Sequence, residues 1–420
     1  MRGPPLALAA LISAYRQIDG SERLRATLPL VGGTLIEHQA RQAVRAGAAH
    51  IVILVERLPA ALTGAIDALR RDGIAVDIAR SVGDAADRVH PDERLLVIAD
   101  GCIVGQSALD RLVAVDAPAL LTLKDEPGRA AFERIDAADR WAGLALLDGG
   151  RLRSTAAMLG DWDLESTLLR RTVQEGAARL NIFATEDGAT PAGLPIIAES
   201  EAALGDLEKH LLSGSRRRAS SWPERYLFAP VEEPAARLLI KRSIEPEWMA
   251  LLACALAAMS APLVTAGLEW AAFLLLLLSG PVRAVALRLA AVRLASIRRA
   301  KLFDLVRAVG GGLALLACSG MLAERGGWGW WIVAAAVILG MLALRTERSI
   351  ALRAAAWPDP PWLASLDGLI WGFLPFALAG RWDAGVAALA CYAILSFAVV
   401  QHSLLRHFSG KSASRGLASP

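Results

Sequence analysis

Hydrophobic residues follow different patterns in the two halves of this chain. In residues 1–215, short apolar runs alternate with longer amphipathic segments. Alternating strands and helices are typical of a parallel sheet covered on both faces. From residue 248 to residue 402, apolar segments of about 20 residues, the length a helix needs to cross a bilayer, follow one another. The pattern predicts an α/β domain followed by an all-α membrane domain.

The first half is predicted to contain five strands and four helices. Its first apolar run, Leu6–Tyr15, could also be the core of a secretory signal peptide, but a periodic α/β pattern follows it at once, which favours a strand. The predicted strands are Leu6–Tyr15, Ile51–Glu56, Ala75–Ala79, Arg94–Ala99 and Ala119–Leu123, and the predicted helices are Thr34–Ala46, Pro59–Arg71, Gln106–Val115 and Asp161–Gly176.

Six hydrophobic segments are predicted to span the membrane. A polar, basic linker and an amphipathic interfacial helix (216–247) precede them, and a basic tail (403–420) follows them. Tryptophans cluster at the segment ends, as in an aromatic belt. The predicted spans are Trp248–Leu268, Trp270–Leu287, Phe303–Ala323, Trp328–Leu344, Leu363–Gly380 and Ala384–Gln401.

Basic residues are distributed unevenly among the connections between these spans. The second connection, counted from the last turn of its span, holds six and the fourth holds three, whereas the first, third and fifth hold none, one and one. Because cytoplasmic connections are rich in Lys and Arg, we expect a multi-pass protein of the cell (inner) membrane with its soluble half and both termini in the cytoplasm. The nine residues are Arg283, Arg288, Arg293, Arg298, Arg299 and Lys301, then Arg345, Arg348 and Arg353.

Composition narrows the classes of function. A hydrophobic content of 55% excludes an ordinary soluble protein, and with a net charge of +3 no nucleic-acid partner is expected. The four cysteines lie far apart, without C-x-x-C or His pairing, so neither a disulfide framework nor a zinc site is expected.

The segment Leu28–Leu54, LPLVGGTLIEHQARQAVRAGAAHIVIL, resembles the sugar-nucleotidyltransferase fold, a Rossmann-like nucleotide-binding α/β domain. The resemblance places Asp100 where that family has a metal-binding Asp at a strand end. An Asp-Gly pair at such a place is also common in plain turns. Asp161 is either a second metal ligand or a cap of the following helix.

The phosphate-binding parts of that family are absent from the sequence. The first strand is followed by SAYRQIDGSERLRATLPL, which has no Gly-rich G-x-G-x-R loop, and Leu28 replaces the family's Lys. Arg16, Arg23 and Arg25 are the candidate replacements for nucleotide phosphate contacts, although exposed arginines are usually just solvated.

The stretch Leu278–Asp304, LSGPVRAVALRLAAVRLASIRRAKLFD, lies between two predicted spans and resembles the active-site region of the CDP-alcohol phosphotransferases. The pattern of that family, D-x2-D-G-x2-A-R-x8-G-x3-D-x3-D, places its last Asp on Asp304. Its other three fall on Ser279, Val282 and Ala300. One carboxylate of four is too few for a cation such as Mg²⁺, and we expect Mg²⁺ only if activity is retained. Asp304 is therefore a vestigial catalytic candidate.

The same basic stretch has a second interpretation. Its six cations recur at helical spacing among apolar residues, which predicts a helix at the membrane surface that binds anionic headgroups. Asp304 and Arg307 are either functional ionisable residues inside the spans or a local i,i+3 ion pair, and Asp367 is a further ionisable residue there. Gly310, Gly311 and Gly312 are expected to let another helix approach closely.

Together, the two resemblances cover both halves in the order of the bifunctional inositol-phosphate cytidylyltransferase/di-inositol-phosphate-phosphate synthases. They imply a transferase of polar-lipid or phosphodiester synthesis, diverged or partly active, that uses CTP or a CDP-alcohol. The alternative is a catalytically inactive scaffold or partner that binds a nucleotide, an anionic lipid or an active paralogue. A homodimer through the membrane half is a further expectation.

Overall fold

The computed structural model describes residues 7–18, 20–159, 162–183, 195–214, 220–353 and 360–416. The chain divides into two compact units. The first comprises Met1–Ser215 with two short segments, Ile240–Ser243 and Ala291–Ser296, and the second comprises the remaining residues. We describe the two units separately.

The first unit is an α/β domain, as the alternating pattern predicts. Every predicted strand and helix of this half is found, with ends that differ by at most three residues. Its strands are β1 (Leu8–Ser13), β2 (Pro29–Leu30), β3 (Gly33–Thr34), β4 (Ala48–Leu54), β5 (Val76–Ala79), β6 (Arg94–Ile98), β7 (Cys102–Ile103), β8 (Ala119–Lys124), β9 (Asp139–Asp148), β10 (Ala178–Asn181) and β11 (Ile196–Ile197). Its helices are α1 (Leu35–Arg45), α2 (Ala60–Arg71), α3 (Val82–Asp87), α4 (Gln106–Ala114), α5 (Gly149–Ala156), α6 (Leu164–Gln174) and α7 (Glu201–Gly214).

Seven strands form one sheet in the order β10-β8-β9-β6-β1-β4-β5. The strands β6, β1, β4 and β5 are mutually parallel, and β10 is parallel to β8. The prediction of a parallel sheet is wrong for β9, which runs antiparallel to both of its neighbours. The hydrophobic pattern predicts no strand there because its apolar core, WAGLALL, lacks the β-branched residues that mark strands.

Burial explains why the central strands are apolar throughout. All six residues of β1 are buried, because helices cover both faces of a mainly parallel sheet. The helix α1 begins with a capping box, in which the Thr34 and Glu37 side chains satisfy each other's backbone N–H groups. In β9, Gly143 adopts φ 85°, and a Cβ atom there would lie 2.4 Å from Cys102 Sγ. Only glycine fits this close approach.

The second unit is helical. A short π-helical turn, Glu224–Phe228, leads into its helices, and five of the helices in the described part of the chain are long and apolar enough to cross a membrane. The helices are α8 (Ala229–Lys241), α9 (Pro246–Thr265), α10 (Glu269–Val292), α11 (Ala300–Gly326), α12 (Gly329–Arg353), α13 (Leu366–Leu378) and α14 (Trp382–Gly416). The five helices of bilayer length are α9, α10, α11, α12 and α14.

The predicted count of six spans is not confirmed. The segment predicted as the fifth span, Leu363–Gly380, contains only the 13-residue helix α13. At 1.5 Å per residue it measures about 20 Å, less than the ~30 Å of a bilayer core. The helix α14 continues to Gly416, through most of the segment predicted as a basic tail.

The sequence predicts that the basic stretch forms one surface helix, and this prediction is wrong. Its first part is the end of α10, its last part begins α11, and residues 293–299 between them are not helical. Leu294 has φ 54°, a left-handed conformation that ends the helical path. The six basic residues of this stretch are therefore divided among the end of α10, the non-helical segment and the start of α11.

Candidate functional site

Arg283 and Asp304 form a two-contact ion pair in the second unit. Arg283 Nε donates to Asp304 Oδ1 at 2.6 Å, and its Nη2 donates to Asp304 Oδ2 at 3.2 Å. Arg283 Nη1 lies 3.4 Å from Glu224 Oε1. Both carboxylate oxygens of Asp304 are therefore engaged by one guanidinium, a geometry that suits arginine particularly well. The local Asp304–Arg307 pair predicted from i,i+3 spacing is wrong, because each of the two residues pairs with another helix.

Arg307 pairs with Asp367 of α13. Two guanidinium nitrogens of Arg307, Nη1 and Nη2, donate to the two carboxylate oxygens of Asp367. Its Nε donates to Ser279 Oγ of α10 at 3.1 Å. Arg307 and Asp367 are 3% and 6% exposed, so the charges are fully paired inside the helical unit. This network joins α10, α11 and α13.

These residues do not fit the Mg²⁺ site that the resemblance implies. Ser279 stands at the first Asp position of the pattern, and its hydroxyl donates to the Leu276 carbonyl while accepting from Arg307. Asp304, at the last position, is held by Arg283. A hard cation needs several oxygen ligands, and here guanidinium groups take the oxygens. The pattern's metal position is occupied by protein cations.

A cavity of about 600 Å³ lies beside this network, entirely within the second unit. Its walls come from α10, α11, α12, α13 and α14 and are mainly apolar. Its polar lining residues include Arg283, Asp304, Arg307, Arg345, Arg348 and Asp367. Pockets of this size and mixed character are typical of ligand sites.

The remaining basic residues of the predicted headgroup site are dispersed. Arg288 is buried and lies 3.6 Å from Glu232 and 3.8 Å from Glu233. Arg293 belongs to the first unit, is buried there, and donates from Nε to the Val31 carbonyl at 2.8 Å. The other three residues of the predicted headgroup site are exposed; they are Arg298, Arg299 and Lys301.

In the first unit, Asp100 lies at the carboxyl end of β6 and contacts the chain that leaves β1. Its Oδ2 accepts hydrogen bonds from the backbone N–H groups of Tyr15 (2.9 Å) and Arg16 (2.6 Å). Its Oδ1 is buried without a hydrogen-bond partner among the described residues. Burial raises the pKa of Asp100 to about 7, against these hydrogen bonds, which lower it.

Glu165, at the start of α6, is the acidic neighbour of Asp100. Glu165 Oε1 accepts from the Asp100 backbone N–H at 2.9 Å, and its Oε2 lies 3.3 Å from Arg16 Nη2. Glu165 is 4% exposed, and burial raises its pKa as well. Asp163 caps α6 by accepting from Ser166 N and also accepts from the Tyr15 hydroxyl at 3.0 Å.

The three candidate phosphate ligands are all close to carboxylates. Arg16 faces Glu165 and Asp163, Arg23 Nη1 lies 2.8 Å from Glu201, and Arg25 Nη2 lies 3.8 Å from Glu199. Arg25 packs near Gly101, next to Asp100. Arg16 and Arg25 are thus at the Asp100 edge of the sheet, where open α/β sheets bind ligands.

Of the two residues predicted to bind a metal in this unit, the structure describes only Asp100. Asp161 lies outside the described residues, and its role as ligand or cap stays a prediction. Among the residues that the structure describes, no group of three or more His, Cys, Asp or Glu is arranged to hold a metal ion. Asp100, Asp163 and Glu165 instead bind backbone N–H groups, a phenol and a guanidinium.

Sequence reasoning missed two partners in these sites. Glu165 lies in an amphipathic helix, where a polar residue normally faces water, so its sequence pattern does not mark it as buried. Its position two residues after Asp163 is the signal that could have found it. Asp367 was recognised as an ionisable residue inside a span, but its pairing with Arg307, 60 residues away, was not. The signal for that pair is charge balance, since a buried arginine in a span needs a carboxylate.

Comparison with solved structures finds nucleotidyltransferases similar to the first half. The inositol-1-phosphate CTP transferase from T. maritima matches with a TM-score of 0.38 and 13% identity, covering 49% of this chain and 95% of that chain. A provisionally named glucose-1-phosphate thymidylyltransferase from Bacillus anthracis, in complex with a sucrose, gives the same score and identity over 48% and 94%. No family model and no curated protein matches the sequence. These likenesses carry no conclusion about activity.

Proposed function

We propose that this chain is a multi-pass membrane protein with the two-part architecture of the bifunctional transferases that acts as a non-catalytic binding partner or scaffold. The observation that carries the proposal is the ion pair between Arg283 and Asp304. The only carboxylate retained from the CDP-alcohol phosphotransferase pattern is already neutralised by a guanidinium on the neighbouring helix. Phospho-alcohol transfer through a metal-bound diphosphate is therefore absent.

The net charge of the side chains at this position supports the proposal. In the resembled family, four carboxylates leave a negative site that metal ions neutralise. Here the pairs Arg283–Asp304 and Arg307–Asp367 each sum to zero, so the site does not require an added cation. A protein cation cannot replace Mg²⁺ in bridging the diphosphate and lowering the energy of the transferring group.

The test is binding and turnover by the full chain in detergent. CDP-diacylglycerol and CDP-inositol serve as probes, with and without 5 mM Mg²⁺. We expect no release of CMP and no Mg²⁺-dependent increase in binding. Release of CMP that disappears in Asp304→Asn and persists in the exposed control Arg381→Gln would contradict the proposal.

A second candidate function is a diverged transferase whose first unit still binds CTP. The observation that favours it is Asp100 Oδ1, which is buried and has no hydrogen-bond partner among the described residues, at the edge where open α/β sheets bind ligands and close to Arg16 and Arg25. Calorimetry of the full chain with CTP and Mg²⁺ tests it. Binding that is lost in Asp100→Asn but kept in Asp84→Asn would support the second candidate over the first.

We further propose the orientation deduced from the basic connections, with the soluble half and the connection after α10 in the cytoplasm of a cell (inner) membrane. Because α13 is short, the side of the C-terminus depends on whether α13 completes a crossing. Single-Cys variants at Arg298 and Arg325 report the two sides, and one at Ser403 reports the C-terminal part of α14. External labelling at Arg325 alone is expected; labelling at Arg298 would reverse the orientation.

A further inference from the structure

The cavity of the second unit is elongated and has two chemically different ends. Along α10 its lining residues run from Glu269 to Arg283, and along α11 from Asp304 to Cys318. Fourteen residues of helix measure about 21 Å. A cavity of about 600 Å³ that extends over this length has room for a hydrocarbon chain.

One end of the cavity is positively charged. Four arginines and two aspartates line this end. Arg283 and Arg307 are held by the aspartates. Arg345 and Arg348, spaced i,i+3 on α12, project from the same face of their helix. The four arginines at this end are Arg283, Arg307, Arg345 and Arg348. The hydroxyl groups of Ser221 and Ser365 also line it.

The rest of the cavity is mainly apolar and closes on aromatic rings. Phe273, Phe373 and Trp382 pack edge to face with ring centroids 5.4–6.1 Å apart. Glu269 is the charged residue that lines this part, and the mainly hydrocarbon wall around it favours an apolar chain over a polar one. The apolar wall includes Leu276, Leu315, Val337, Met341, Phe373 and Leu389.

We propose that this cavity binds a membrane amphiphile with an anionic phosphate headgroup. Arg345 and Arg348 contact the phosphate, and the hydrocarbon chain lies along α10 and α11 towards Trp382. Arginine suits phosphate because its planar fork donates two hydrogen bonds at once. The inference rests on the proposed binding function and gives it a ligand class.

Gly312 offers a way to test the chain-binding part without disturbing the fold. It lines the cavity, and a Cβ atom at this position meets no atom within 4 Å. A larger side chain therefore enters the cavity rather than another helix. The neighbouring Leu313 is 51% exposed and does not line the cavity, so Leu313→Phe adds similar bulk outside it.

The experiment is native mass spectrometry of the full chain released from detergent, with 18:1 lysophosphatidic acid as the probe and 18:1 lysophosphatidylcholine as the zwitterionic comparison. One lysophosphatidic acid per chain is expected, bound at least about ten-fold more tightly than the comparison lipid. Arg345→Gln/Arg348→Gln should weaken it about ten-fold, whereas Arg381→Gln should not. Gly312→Phe should remove it and Leu313→Phe should keep it.

Three results would overturn the proposal: equal affinity for the two lipids, unchanged binding in Gly312→Phe, or displacement of the lipid by 10 mM inorganic phosphate, which would indicate a free-anion site. Thermal unfolding shows whether Gly312→Phe is folded, and Gly312→Leu is the smaller substitute if it is not. Mg²⁺-dependent release of CMP would contradict the non-catalytic function while leaving lipid binding intact, so the two failures are distinguishable.

Discussion

Arg283 of α10 and Asp304 of α11 meet through two hydrogen bonds, so the one carboxylate left from a transferase-like pattern has a guanidinium as its partner. The two residues are 21 positions apart in sequence. Their side chains are 22% and 42% exposed, which places the pair at the polar end of the helical unit. The pair holds α10 and α11 together, where the resembled family would hold a metal.

Removing either partner of this pair should weaken the helical unit modestly. Because both side chains are partly exposed, we expect Arg283→Gln and Asp304→Asn each to cost about 1 kcal/mol, with a coupling of about 0.5–1 kcal/mol in the double mutant. Thermal unfolding of the four proteins in detergent measures the cycle. Strict additivity would show that the pair contributes nothing to stability.

The buried pair of Arg307 and Asp367 should respond differently. Arg307→Met leaves a carboxylate uncompensated inside the unit, and the expected cost is about 3–5 kcal/mol. The double variant Arg307→Met/Asp367→Leu removes both charges and should be more stable than either single variant. A double variant that is no better than Arg307→Met would mean that the charges are not directly coupled.

Two glycines of α11, two residues apart, should give opposite results. A Cβ atom on Gly310 would lie 2.6 Å from the Ala257 carbonyl oxygen of α9, whereas one on Gly312 meets open space. Gly310→Ala should cost about 1–3 kcal/mol because the helices must separate. Gly312→Ala should gain about 0.5–1 kcal/mol of helix propensity. The melting temperatures of the two variants are compared directly; equal shifts would contradict the packing.

Asp100 should make the first unit less stable as the pH rises. Its folded pKa, about 7, lies above the ordinary value of 3.8 because burial disfavours the charge. The folded chain therefore binds the proton more tightly. Its contribution is complete below about pH 4 and is lost as the pH rises through 7, at about 1.4 kcal/mol per unit. Asp100→Asn should flatten this slope.

The reaction of Cys102 with a thiol reagent measures how readily this site opens. The thiol, next to Gly101, is 1% exposed and therefore reacts only when the site opens. In a variant carrying Cys254→Ala, Cys318→Ala and Cys391→Ala, the maleimide labelling rate relative to denatured protein gives the opening free energy. We expect labelling to become easier between pH 5.5 and 7.5, and less so with Asp100→Asn. Identical profiles for the two proteins would refute the raised pKa.

The strands and helices of the first half could be predicted because each is marked by its own hydrophobic pattern. Burial on both faces made β1 and β4 continuous apolar runs, and a capping box marks the start of α1. The strand β9 has no such mark. Its antiparallel place between β6 and β8 depends on pairing with residues 15 to 54 positions away.

Amino-acid sequence alone determined that this protein has an α/β half and a helical half with bilayer-length segments, because periodicity and hydropathy are local properties. The tertiary structure decided which charges meet. Helical spacing places Asp304 and Arg307 next to each other. The packing of α10 and α13 against α11 instead pairs Asp304 with Arg283, and Arg307 with Asp367. A buried charge pairs with the opposite charge that helix packing brings near it. The separation of the two residues in sequence does not predict that pairing.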